Sequence, residues 1–195
     1  MKISLKSKNI EAKYFQELNC FNNLEHLELN GIKFNSLFVL NLTKIKTLEI
    51  SQCNNISFSN NVSLNLTKLS FVDFMPIQQT ILKFPKLEQC ELFKFFYDKN
   101  IFNYNSIFDI STMINLKTLK AEACDILSLD SNISLQNLDV YSKDNNNIET
   151  EKKVIEKIIS IKSLKEVNLL LKKFDYNEFS DIEGTNNSIA IIKII

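Results

Sequence analysis

The sequence predicts a single α/β solenoid, in which short repeats stack so that their strands form a parallel sheet beside one continuous core. Three observations lead to this prediction. A pattern of apolar residues at positions one, four and six recurs along the chain, and its first four copies are 21 residues apart. In addition, 45% of the 195 residues are hydrophobic and 24% are charged, which is a composition that can bury a core.

The repeats are visible directly in the residues. The first complete copy is LEHLEL at Leu24, and the next is IKTLEI at Ile45. A half-match, Ile3 and Leu5, lies in a partial repeat at residues 1–10. Complete copies begin at residues 24, 45, 66, 87, 116, 135, 164 and 189. One such motif would mean little, but this series indicates seven to eight stacked units in one domain spanning residues 1–195.

The pattern resembles the leucine-rich repeat, whose consensus L-x-x-L-x-L-x-x-N/C-x-L runs over about 20–29 residues. Cys53 and Cys124 occupy the ninth position, where the family has Asn or Cys. A polar side chain there serves backbone groups of the turn that leaves the strand. Ile32, Phe74 and Phe95 occupy this position in other repeats and depart from the family pattern. The resemblance implies a curved horseshoe with its parallel sheet on the concave face and short helices, 3₁₀ turns or loops on the convex face.

The segments between the strands differ in length, and this difference predicts their structure. The 21-residue repeats leave room only for short turns or 3₁₀ segments on the convex side. Helices are predicted in three other stretches, residues 9–18, 103–113 and 150–160. In the last stretch Thr150 is the expected N-cap, and four residues share one face: Val154, Ile155, Ile158 and Ile159.

Several classes of function find no support in the composition. The chain carries 23 basic and 23 acidic residues and has no Arg or Trp, so we expect neither nucleic-acid binding nor attraction to an anionic membrane. Its two glycines form no phosphate-binding loop, and its four cysteines lack the spacing of a zinc site and are expected to be reduced. We therefore predict no metal, no cofactor, no catalytic residue and no enzymatic activity.

The concave face is the predicted binding surface. In each strand, positions three, five and seven point away from the core because side chains alternate between the two faces. Six of these outward residues are acidic and two are Lys, while Phe93, Tyr141 and Leu170 share the seventh column. The candidate binding residues are His26, Glu28, Glu49, Lys68, Glu91, Phe93, Lys120, Asp139, Tyr141 and Glu166.

These observations predict a protein-interaction module that binds a protein or a peptide of basic character. Three alternatives remain open at this point. The repeats resemble the substrate-recognition part of a ubiquitin-ligase adaptor, they resemble the targeting part of an effector whose catalytic domain lies elsewhere, or they form a structural, self-associating solenoid.

The two ends of the chain add expectations about location and assembly. Residues 1–10 lack the apolar run of a signal peptide, and no stretch approaches the roughly 18–20 apolar residues of a membrane span, so a cytoplasmic location is expected. The last strand, residues 189–195, is strongly apolar. Such an edge predicts a longer parent protein, a packing partner, or self-association through the C-terminal strand.

Overall fold

The computed structural model describes residues 1–6, 11, 15–41, 43–59, 65–74, 77, 82–93, 108–109, 113–122, 134–141, 148–170 and 191–194. These residues form a solenoid of mostly parallel strands. In chain order the strands are β1 (Lys2–Lys6), β2 (His26–Asn30), β3 (Lys33–Leu40), β4 (Thr47–Ser51), β5 (Asn54–Phe58), β6 (Lys68–Val72), β7 (Leu82–Lys83), β8 (Gln89–Phe93), β9 (Phe108–Asp109), β10 (Thr118–Glu122), β11 (Asn137–Tyr141), β12 (Glu166–Leu170) and β13 (Ile191–Ile194). A 3₁₀ helix spans Gln16–Cys20, and an α-helix, α1, spans Ile148–Ser160.

Among the described residues, nine strands form the main sheet, in the order β1-β2-β4-β6-β8-β10-β11-β12-β13. Neighbouring strands are parallel, and their register aligns the repeats as the sequence pattern predicts. Leu27 lies opposite Leu48, which lies opposite Leu69. The alignment reaches both ends of the sheet, because Ile3 of the half-match lies opposite Leu27 and Ile192 lies opposite Val167. The predicted strand of each repeat is therefore confirmed within the described residues.

The core lies against one face of the main sheet. From repeat to repeat, the residues at positions one, four and six are almost fully buried; in the first complete repeat these are Leu24, Leu27 and Leu29. Alternation along each strand turns these side chains to the same side. Burying an aliphatic side chain contributes about 1.5–3 kcal/mol, so the stacked columns supply the main driving force for folding.

A backbone ladder also connects successive repeats just before each strand. The amides of Lys46 and Thr47 both donate to the carbonyl of Glu25, at 2.8 and 3.0 Å. The same two-into-one arrangement recurs where Thr67 and Lys68 donate to the Lys46 carbonyl, and again at each following repeat up to β12. Each repeat thus fixes the entry of the next strand, whatever the length of the segment between them.

The side of the core opposite the main sheet differs from the prediction in the first two repeats. We expected short turns or 3₁₀ segments there, but β3 and β5 form a second, two-stranded parallel sheet. The expectation was wrong because apolar side chains of both segments, including Phe38 and Phe58, still bury one face. They do so although the alternation of buried and exposed residues in β3 is interrupted. Phe58 stacks on Phe71 of the main sheet, with ring centroids 5.7 Å apart, so the two sheets meet across the core.

Of the predicted helices, one is confirmed and another is wrong in its described part. The helix expected at residues 150–160 is confirmed, and Val154, Ile155 and Ile158 are buried, but it begins at Ile148. Thr150 therefore lies inside the first turn and is not the N-cap. The helix expected at residues 103–113 is wrong at Phe108–Asp109, which pair in parallel with β7. The described part of the first stretch is the 3₁₀ helix, and the start of that stretch lies outside the described residues.

Cys53 performs the role predicted for the ninth position. Its Sγ accepts a hydrogen bond from the Ile32 amide at 3.4 Å and donates to the Ser51 carbonyl at 3.2 Å. Burial raises the pKa of the Cys53 thiol to about 11, so the proton that it donates is retained at neutral pH. Cys124 and Phe95 lie outside the described residues.

The residue before the ninth position adopts a left-handed backbone in three successive repeats. Gly31, Gln52 and Asp73 have φ angles of 67°, 51° and 49°. Their amides continue the ladder between repeats, since Gly31 donates to Ser51, Gln52 to Val72 and Asp73 to Phe93. Only Gly takes this conformation without steric cost, which explains its use at the first of these turns.

Replacing Cys53 with Ala should destabilise the protein by about 1–3 kcal/mol, because the buried Ile32 amide and the Ser51 carbonyl would lose their partner. The measurement is urea unfolding followed by circular dichroism. Cys53→Asn serves as the matched variant, because an amide side chain can both accept and donate, and it should recover part of the loss. Equal stability of the Ala variant and the wild type would show that the sulfur is not needed by this turn.

Replacing Gly31 with Ala should cost about 1 kcal/mol of unfolding free energy, because the added Cβ is strained at this positive φ. Gly31→Asn should cost less, since Asn tolerates the left-handed region better than Ala. Thermal and urea unfolding of the two variants measure the difference. If Ala were the better tolerated of the two, the left-handed turn would not be what selects Gly here.

Candidate binding surface

The ten candidate residues all belong to strands of the main sheet. Their side chains occupy outward positions, on the side away from the core, and each is partly exposed. We call this surface the outer face, and define it by positions three, five and seven of the main-sheet strands from β1 to β12. Register alignment makes it a set of straight columns: Glu28 lies opposite Glu49, as the sequence pattern predicts. The structure therefore places the candidates on one surface.

The carboxylates of the fifth column differ in their partners. Glu49 forms an ion pair with Lys68 of the next strand, with Oε1 and Nζ 2.6 Å apart. Glu91 accepts a hydrogen bond from the Ser70 hydroxyl at 3.0 Å. No described residue forms an ion pair with Glu28 or Glu91. The charge of Glu49 is thus balanced by Lys68, whereas the carboxylates of Glu28 and Glu91 have no ion pair with a described residue.

Asp139 is held by two neighbours. Its Oδ1 accepts a hydrogen bond from the Asn168 side-chain amide at 2.7 Å, and its Oδ2 lies 3.6 Å from the Lys120 Nζ. These contacts come from the two strands that flank β11. They fix the carboxylate in place, while the long distance to Lys120 makes that ion pair a weak one.

Phe93 and Tyr141 form an aromatic pair at one edge of the outer face. Their ring centroids are 4.3 Å apart and the rings meet edge to face at 64°. Adjacent strands lie about 4.8 Å apart, so β8 and β11, which have β10 between them, are separated by about twice that distance. The two rings therefore lean toward each other over the end of β10.

Glu122, at the end of β10, is the outward residue opposite Tyr141 in the register. Although its position in the alternation puts it on the outer face, only 6% of its surface is exposed. Sequence reasoning placed Glu122 among the outward residues but left it out of the candidate set, and nothing in the pattern shows that this outward carboxyl group is buried.

The Tyr141 hydroxyl lies among charged groups. Its pKa is raised above the ordinary value, first by burial and then by the nearby carboxylates of Asp139 and Glu91, whereas the Lys120 ammonium acts in the opposite direction. The hydroxyl therefore stays protonated at neutral pH. No described residue forms a hydrogen bond with it. It remains available as a donor and acceptor.

The outer face is less acidic than the sequence pattern suggested. Strand β1 joins the main sheet and adds Lys2 and Lys6, whose side chains are exposed. These two residues double the number of Lys on the face, against six acidic residues. The sequence analysis missed them because the half-match at Ile3 and Leu5 was not carried into the list of outward positions. The excess of carboxylates is consequently local and is concentrated near the aromatic pair.

Other kinds of site are not apparent in the described part of the chain. No three residues of the His, Cys, Asp and Glu types come together there as a metal site would require. Of the four cysteines, Cys20, Cys53 and Cys90 are described and form no disulfide, and the last two are buried. No helix in the described segments has the length and apolarity that a membrane crossing requires.

Comparison with known proteins adds no relative: no family model matches the chain, and a search of curated proteins found no match. The resemblance to leucine-rich repeats therefore depends on the chain's own repeat pattern and on the contacts described above.

Proposed function

We propose that the protein is a leucine-rich-repeat solenoid that acts without catalysis and binds a protein or peptide partner on the outer face. In a leucine-rich-repeat horseshoe this face would be the concave one. The observation that carries the proposal is the outer face itself, a parallel sheet whose outward side chains are mostly polar, charged or aromatic, with Val72 and Leu170 as aliphatic exceptions. Ser70 and Glu122 are buried, and the other described outward side chains are partly or fully exposed. Purely parallel sheets are normally covered on both faces, so an accessible face of this kind is available for a partner.

The dimensions of the face suit an extended segment of a partner. Nine strands at about 4.8 Å spacing span roughly 38 Å across the sheet, which is the length of about eleven extended residues. The face is also preorganised, because Glu49, Lys68, Asp139 and Asn168 are already fixed by contacts between strands. Binding to such a surface loses little side-chain entropy.

Charge reversal on the outer face tests this proposal. Partners are captured from a lysate of the source organism by photo-cross-linking to the wild-type protein and are then purified and titrated individually. Glu28→Lys with Glu91→Lys is the outer-face variant, since no described residue forms an ion pair with either carboxylate. It should raise the Kd of a partner that binds there at least about tenfold, because favourable charge contacts become repulsive.

Glu17→Lys with Glu156→Lys is the matched control, because it makes the same change in net charge at exposed residues of the 3₁₀ helix and α1. It should leave the Kd unchanged. Circular dichroism and thermal unfolding establish that both variants fold. A partner that binds the wild type and both variants equally would place its binding surface elsewhere and would contradict the proposal.

Self-association is a second candidate function, and the position of β13 favours it. In the described residues β13 is the last strand of the main sheet and pairs only with β12. Its sequence, IIKI, is apolar with a single charge. An apolar edge strand with open backbone groups is a template for pairing with another strand.

If this edge is used, light scattering coupled to size-exclusion chromatography should show a dimer that dissociates on dilution. Ile191→Pro should shift the equilibrium toward the monomer, because Pro removes a backbone donor from the strand. Glu28→Lys with Glu91→Lys should leave it unchanged. A monomer at every concentration up to the millimolar range would eliminate this function.

A further inference from the structure

The aromatic pair and the charges around it define a distinct subsite on the outer face, which we call the aromatic subsite: Phe93, Tyr141, Glu91, Asp139 and Lys120. Two of these residues are acidic and one is basic. We propose that the aromatic subsite receives an arginine side chain of the partner, whose guanidinium stacks on the Tyr141 ring and donates to the carboxylates of Glu91 and Asp139. This inference rests on the proposed function and names the partner chemistry that one part of the outer face recognises.

The geometry of the rings supports a planar cation. Phe93 and Tyr141 meet edge to face, so each ring restrains the other, and both side chains remain partly exposed. An aromatic ring attracts a cation placed over its face. A guanidinium is planar and can stack on the ring while its N–H groups point outward to acceptors.

The charges of the subsite are unbalanced in the direction that a cation requires. Lys120 lies 3.6 Å from Asp139, and no described residue forms an ion pair with Glu91. One ammonium against the two carboxylates of Glu91 and Asp139 leaves room for a second positive charge, so the subsite is complementary to a basic side chain.

Arginine suits these contacts better than lysine. The carboxylate of Asp139 is held by Asn168 and that of Glu91 by Ser70, so both acceptors are oriented before a ligand arrives. Two fixed acceptors near the Tyr141 ring match the several N–H donors of a guanidinium, whereas an ammonium is a compact charge that does not stack. The Tyr141 hydroxyl supplies one more acceptor at the same place.

The test uses the full chain and three short peptides, acetyl-Gly-Arg-Gly-amide and its citrulline and lysine counterparts. Citrulline keeps the shape of arginine but carries no charge. In NMR titrations the arginine peptide should shift the ring signals of Phe93 and Tyr141 in a saturable manner, with a Kd in the millimolar range that a single side chain can give. The citrulline peptide should produce no saturable shift, and the lysine peptide should bind at least about threefold more weakly.

Two variants and one control assign the binding to the subsite. Tyr141→Leu should abolish saturation, and Glu91→Gln should raise the Kd about threefold or more. Glu156→Gln removes one exposed carboxylate from α1, outside the outer face, and should leave the Kd unchanged. The spectrum of the Glu91→Gln variant, which alters no core residue, shows whether the fold is retained.

Several results would overturn the inference. These are equal binding of the arginine and citrulline peptides, equal or stronger binding of the lysine peptide, shifts located away from Phe93 and Tyr141, or unchanged affinity in the Glu91→Gln variant. In each case the outer face could still bind a partner by other contacts, as the charge-reversal experiment would show. Conversely, the arginine peptide could shift the signals of the two rings while charge reversal on the outer face leaves the Kd of the partner unchanged. That combination would contradict the proposed function but not the arginine chemistry.

Discussion

The structure depends on parallel pairing in a constant register. Each strand of the main sheet places its two inward residues directly beside those of its neighbour, as Leu27 and Leu29 do with Leu48 and Ile50. A slip by one residue would turn this whole set out to solvent, and the paired amides that enter each strand would lose their common carbonyl acceptor. Burial and hydrogen bonding therefore select the same register, and that register also determines which side chains form the outer face.

The strands of the main sheet keep their alignment although the repeats differ in length. The starts of the repeats are separated by 21, 29, 19 or 25 residues, yet the strands stay aligned from β1 to β13. Short intervals form β3 and β5, while the longer interval between β11 and β12 contains α1. Both solutions cover the core, since Phe38 and Val154 are equally buried in the two places. The arrangement of side chains on the outer face is therefore kept when the connecting segments differ in length.

The same division explains what the sequence could predict. The strands of the main sheet could be predicted because apolar residues at positions four and six alternate with outward residues, and this alternation indicates which side chains are buried. β3 was missed because its alternation is interrupted at Ser36 and Leu37, where the pairing with β5 shifts register. The contact between Phe93 and Tyr141 was also beyond prediction. The pattern aligned them in one column, but only the structure shows that the rings meet over the intervening strand.

The composition of the chain bears on the aromatic subsite as well. Since the protein contains no arginine, it cannot satisfy fixed carboxylates with a guanidinium of its own, and its lysines have flexible stems and strongly hydrated ends. Lys120 consequently approaches Asp139 only loosely, whereas Lys68 reaches Glu49 at 2.6 Å. The oriented carboxylates beside Tyr141 thus retain acceptor capacity that no described residue uses. A partner that supplies a guanidinium would complete these hydrogen bonds without displacing any strand contact of the sheet.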